Sequence, residues 1–166
     1  MILGMSVPMF TLLHVLISVV GLFSGVVVLV GLLKSSLNKN WTAVFLVTTV
    51  LTSVTGFFFH SKQIGPPHIV GLISLVILIV AVAALYKFRL AGPWRWVYVV
   101  TALMALYLNF FVAVVQSFQK SPLLHRLAPT QKEPPFLIVQ LILLGIFVFM
   151  GVNAVKKFNL KKQKRA

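Results

Sequence analysis

Lys156-Lys157-Phe158-Asn159-Leu160-Lys161-Lys162-Gln163-Lys164-Arg165 follows directly on a long apolar run, and six of these ten side chains are cationic. Positive charge beside a hydrophobic span resists translocation, so a tail of this kind stays on the cytoplasmic face. Its position orients every earlier apolar run and so decides which polar residues share a rim. Lys156, Lys157, Lys161, Lys162, Lys164 and Arg165 are read as topology determinants and as contacts to anionic lipid headgroups, each worth about 1 kcal/mol near a charged leaflet.

Working outward from the tail, the 166 residues are 60% hydrophobic and 10% charged, with a mean hydropathy of +1.04. A soluble domain has about 45 to 50% apolar residues. The composition implies lipid as solvent and an all-α, polytopic membrane helical bundle, with residues 1–166 forming a single transmembrane domain. The formal charge of +14 arises from 15 Lys and Arg against one acidic residue, Glu133. Such an excess can mark a nucleic-acid binder, but here the cations sit between and after apolar runs, where they act on topology and lipid. The chain has no cysteine, which excludes disulfides, thiolate nucleophiles and thiolate metal centres.

Five spans are expected, at about 9–33, 42–59, 68–86, 96–118 and 136–155. The first would reach roughly 37 Å at 1.5 Å per residue, enough to cross about 30 Å of hydrocarbon with some tilt. It reads as a retained span, since a signal-peptide core has only about 7 to 15 apolar residues. Along it His14, Ser18, Gly21 and Gly25 recur at helical spacing, and Gly21 and Gly25 form a GxxxG that allows close helix approach in lipid. The second span carries Thr42, Thr48, Thr49, Thr52, Ser53 and Thr55, hydroxyls that can bond to the preceding turn or across to a neighbour. The third holds Gly71, Ser74, Ala81 and Ala84. In the fourth, Tyr98, Ala102, Ala105, Asn109, Ala113 and Gln116 fall on one face by steps of three and four. Asn109 lies near the middle, where an unpaired amide is costly, so it is expected to face another helix or a bound group. The segment 119–135 is the one long connection, with a short surface helix expected after Ser121-Pro122.

Five spans place the termini on opposite faces. Lys and Arg number two in 34–41, three in 87–95 and six in the tail, against none at the amino terminus, one in 60–67 and three in 119–135, or 11 against 4. The expected orientation is amino terminus out, carboxyl terminus in. His14, His60, His68, His125 and Glu133 then gather toward the outer rim. Nitrogen ligands suit zinc or copper, so His60, His68, His125 and Glu133 are candidate metal ligands. His14, His68, Gln116 and Gln140 are candidate partners for a quinone head or haem in a slot between helices. Neither haem, metal nor quinone is favoured over the others.

The runs Thr48-Thr49-Val50-Leu51-Thr52-Ser53-Val54-Thr55-Gly56-Phe57-Phe58-Phe59, Trp94-Arg95-Trp96-Val97-Tyr98-Val99-Val100-Thr101-Ala102 and Ala128-Pro129-Thr130-Gln131-Lys132-Glu133-Pro134-Pro135-Phe136 resemble segments of small, uncharacterised multi-span integral membrane proteins of proteobacteria. The resemblance runs from the first span to the fifth. It implies a bacterial inner-membrane address and assigns no activity and no site residue.

No acidic pair, Ser-His-acid spacing or phosphate-binding glycine loop appears, so enzymatic chemistry is not expected. The expected role is a non-enzymatic accessory or interaction subunit of a larger inner-membrane complex, with membrane lipids and other subunits or further copies of itself as partners and no nucleic acid. A periplasmic-side haem, metal or quinone protein in electron transfer is the alternative, and a small transporter or channel the second alternative.

Overall fold

In the computed structural model, which describes residues 2–59 and 66–158, the chain is all-helical among the described residues, apart from a single isolated bridge between Ile2 and Met5. The helices are α1 (Val7–Leu33), α2 (Lys39–Gly56), α3 (Pro66–Val82, continued by a π-helical turn at Ala83–Lys87), α4 (Trp94–Lys120), α5 (Pro122–Leu127) and α6 (Pro134–Lys157). Among the described residues four helices are long and apolar enough to cross a membrane: Val7–Leu33, Pro67–Lys87, Trp94–Lys120 and Pro134–Lys157. The 18 residues of α2 include a polar first turn and six hydroxyl side chains, and this helix does not reach that standard.

Local chemistry fixes the ends. Prolines in the first turns of α1, α5 and α6 lose nothing there, because those N–H groups have no intrahelical acceptor. The α1–α2 turn closes through Ser36 N–H donating to the Gly31 carbonyl at 2.8 Å. A Cβ at Gly31 would lie 2.7 Å from the Ser36 carbonyl oxygen, so only glycine admits this turn. Asn38 Oδ1 then accepts from the N–H groups of Asn40 (3.1 Å) and Trp41 (3.2 Å), a cap worth about 1 kcal/mol. That cap starts α2 three residues before the expected 42, and the helix stops at Gly56, short of the expected 59. Beyond the π turn, Arg89, Leu90 and Gly92 all adopt left-handed backbone and reverse the chain, while Phe88 stacks on Trp94 with centroids 3.7 Å apart.

Neighbouring contacts run α1–α2–α3–α4–α1, a closed four-helix ring, and α6 docks on α4 and α1. The pairings are antiparallel around the ring: His14 meets Thr55, Ser53 meets Ser74, and Gly21 and Gly25 lie opposite Asn109 and Leu106. Along α6, Phe136 contacts Phe118 and Phe147 contacts Phe110 and Tyr107. The core is built around Phe45, Leu78, Tyr98, Val99, Ala102, Ala105 and Leu106. Lipid tails are as apolar as these side chains, so van der Waals fit and interhelix hydrogen bonds hold such a bundle, with little hydrophobic drive.

The connection between α4 and α6 folds back on the bundle. Ala128 is buried with Phe118 and Phe136, Leu124 packs against that cluster, and Gln131 Nε2 donates to the Val115 carbonyl at 3.0 Å. On α5, Leu124 turns inward while Leu123 and Leu127 are exposed.

Candidate functional site

His14 is half-buried in α1, its Nδ1 2.7 Å from Thr55 Oγ1 and its ring edge-on to Phe59. The Thr55 hydroxyl has one proton, for which the Leu51 carbonyl at 2.7 Å, that of Thr52 at 3.2 Å and His14 Nδ1 compete. With the Thr55 proton on a backbone carbonyl, His14 Nδ1 is the donor to Thr55 Oγ1; with it on His14, Nδ1 is the acceptor. One turn inward, Ser18 Oγ donates to the His14 carbonyl at 2.7 Å and lies 3.3 Å from Thr52 Oγ1. These contacts form because small and hydroxyl residues on α1 and α2 let the two backbones approach.

The next layer holds Gly21, Thr49 and Asn109. Asn109 Nδ2 donates to Thr49 Oγ1 at 3.2 Å, and a Cβ added at Gly21 would lie 3.3 Å from Thr48 Oγ1 and 3.8 Å from Asn109 Nδ2. Gly25 opens room for Phe45 and Leu106. Both glycines of the GxxxG thus face helices of their own chain. On α6, Gln140 Nε2 donates to the Phe111 carbonyl at 3.3 Å, and its Oε1 is buried without a hydrogen-bond partner.

The remaining candidates are dispersed. His68 sits beside Phe57 with ring centroids 5.8 Å apart, Gln116 is half-buried on α4, and His125 is exposed on α5. Glu133 accepts from the Thr130 hydroxyl at 2.8 Å, the Thr130 N–H at 3.1 Å and the Lys132 N–H at 3.0 Å. Desolvation works to raise its carboxyl pKa, and the hydrogen bonds from the Thr130 hydroxyl and from the amides of Glu133 itself, Thr130 and Lys132 outweigh it, so the carboxyl is held below its ordinary range. Among the described residues no three of His, Asp or Glu form a group able to hold a metal ion. His60, Lys161, Lys162, Lys164 and Arg165 lie outside the described residues, while Lys156 and Lys157 close α6 in exposed positions.

Comparison with known protein families, with curated proteins and with solved structures finds no match to this chain.

Sequence reasoning missed a different cluster. Lys39, Thr42, Tyr86 and Arg89 line a common cavity at the opposite end of the bundle from Glu133. Lys39 and Arg89 stand out in the sequence only as members of two cationic turns, and their meeting follows from the α2–α3 pairing.

Proposed function

We propose that this chain is a five-span integral protein of a bacterial inner membrane, amino terminus outside and carboxyl terminus in the cytoplasm, without catalytic chemistry of its own. In this reading it serves as an accessory or interaction subunit of a larger membrane assembly. The fifth span is α2. Its 18 residues rise about 27 Å, it lies antiparallel to α1, and Thr48, Ser53 and Thr55 return their hydroxyls to their own backbone, which lowers the cost of lipid contact. The orientation is supported by charge: among the described residues, Lys34, Lys39, Lys87, Arg89, Arg95, Lys156 and Lys157 cluster at one end, against Lys120, Arg126 and Lys132 at the other.

The observation that carries the functional reading is how the interior polar groups are used. His14 is engaged with Thr55, Asn109 with Thr49, Ser53 with Ser74, and Gln140 with the Phe111 carbonyl. Such groups hold helices together and leave little for chemistry. What the chain offers is surface. Ile138, Leu141, Ile142, Phe149 and Val152 of α6 are exposed around Gly145, where an added Cβ meets nothing within 4 Å, so another helix can come close there. Extraction in mild detergent followed by mass spectrometry of the co-purifying species is expected to yield a stoichiometric membrane partner or a homo-oligomer. Recovery of a lone monomer overturns the reading.

The second reading, a quinone or haem at the outer rim, is favoured by the unpartnered Gln140 Oε1. An absorption spectrum, metal analysis and organic extraction of the purified protein test it: no Soret band, no stoichiometric metal and no quinone dismisses it. The transporter reading would have to use the half-buried Asn109, whose amide here donates to Thr49 Oγ1.

A further inference from the structure

Between the first turn of α2 and the end of α3 lies a cavity of about 460 Å³, with Lys39 and Arg89 at its mouth and Thr42 and Leu90 in its wall. No acidic side chain faces its two cations, since the only one in the sequence, Glu133, belongs to the opposite end of the bundle. Thr42, in the wall, is 1% exposed, and its hydroxyl sits beside the buried Tyr98 hydroxyl and interacts with it, so Thr42 closes the cavity floor while the two cations draw an anion to it. The positive end of the α2 dipole adds to the same attraction.

A second cavity of about 320 Å³ adjoins the first, and Tyr86 lines both. It runs between α2 and α3 with an entirely apolar lining, from Ala43 to Leu51 on one side and Val82 on the other. Those eight steps along α2 correspond to about 12 Å, room for a substantial part of an acyl chain. A cationic mouth above an apolar groove matches one molecule whose head is anionic and whose tail is hydrocarbon.

We propose that the two cavities together bind one anionic phospholipid, with the phosphate between Lys39 and Arg89 and an acyl chain in the groove beneath Tyr86. The proposal rests on the membrane reading above. Arg89 reaches the site because the π turn and the left-handed residues after it fold the end of α3 over the start of α2. This is a defined site at the α2–α3 mouth, separate from the diffuse attraction of the lysine-rich tail.

Native mass spectrometry of the full chain in detergent tests it, titrating phosphatidylglycerol, phosphatidylcholine of the same chain length, and glycerol 3-phosphate as the head alone. The expected result is one phosphatidylglycerol retained about thirtyfold better than phosphatidylcholine, from two cations near the head. Lys39→Gln with Arg89→Gln is expected to abolish that preference, and Val47→Trp, which fills the groove, to weaken phosphatidylglycerol retention. Lys156→Gln with Lys157→Gln removes equal charge at the same end and is expected to leave the preference intact. Equal retention of the two lipids, equal loss in both charge pairs, or glycerol 3-phosphate binding as tightly as the lipid overturns the proposal. A chain that stays soluble without detergent defeats the membrane reading instead.

Discussion

Asn109 Nδ2 donates to Thr49 Oγ1 at 3.2 Å, tying α4 to the helix diagonally across the ring. Ring neighbours α1 and α3 touch both of these helices, so this bond links two helices that are otherwise joined through their neighbours. Gly21 lies against the pair, where an added Cβ would make ordinary van der Waals contact with Thr49 Oγ1 at 3.7 Å and Asn109 Nδ2 at 3.8 Å.

Replacing Asn109 with Leu is expected to destabilise the bundle by about 0.6 to 2 kcal/mol, the range for interhelix polar contacts in membranes. Thr49→Val removes the acceptor while keeping shape. In denaturant unfolding from detergent, the double variant should be less destabilised than the sum of the singles, by about 0.6 kcal/mol. Strict additivity means that the bond is not felt.

The face that positions this pair was legible in the sequence. Tyr98, Ala102 and Ala105 recur at helical period and are buried, because a helix that meets three neighbours must keep its polar and small residues inward. The limits of α2 were not legible, since they depend on the Asn38 cap and on a turn that only Gly31 permits. The cavity at Lys39 and Arg89 was hidden for a further reason: it exists only where the α1–α2 turn and the end of α3 meet, and periodicity within one helix says nothing about which turns become neighbours. The docking of Leu124 onto Phe118 and Phe136 was hidden in the same way.

Gly25 and Gly145 should respond oppositely to alanine. A Cβ at Gly25 would lie 2.4 Å from Leu106 Cδ1 and 2.9 Å from the Phe45 ring, and both of those side chains are fully buried. Gly25→Ala is expected to cost about 1 to 3 kcal/mol, as overpacking does. Gly145→Ala meets open space and is expected to gain about 0.5 to 1 kcal/mol from helix propensity in the isolated chain. Unfolding midpoints in detergent check both. Loss of co-purifying partner in Gly145→Ala, with the monomer unharmed, would mark that face as an interface.

The natural absence of cysteine makes the crossing number directly measurable. With α2 and α3 both spanning, Ser36→Cys and Ala91→Cys label from the same side of the membrane, and His125→Cys labels from the other. All three positions are exposed. In intact cells an impermeant maleimide is expected to reach His125→Cys alone, and the other two only after permeabilisation. A four-span chain in which α2 stays on one side puts residues 36 and 91 on opposite faces, so a split between them removes the fifth span.

Glu133 makes the 128–134 turn pH-dependent in a direction that can be stated in advance. Its folded pKa is depressed, with the desolvation effect outweighed by hydrogen bonds from Thr130, from its own amide and from Lys132. The unfolded reference is about 4.5. A carboxyl depressed on folding contributes stability that is present above the unfolded value and is lost as pH falls through the lower, folded one. The Thr130 and Lys132 amide protons, which donate to the carboxylate, should therefore shift in nuclear magnetic resonance spectra of the detergent complex with a midpoint below the unfolded value. Glu133→Gln should abolish the titration while Ala128 and Phe136 stay packed. A midpoint at or above the unfolded value would mean that the carboxylate is solvated and that the turn is held by Ala128 and Gln131 alone.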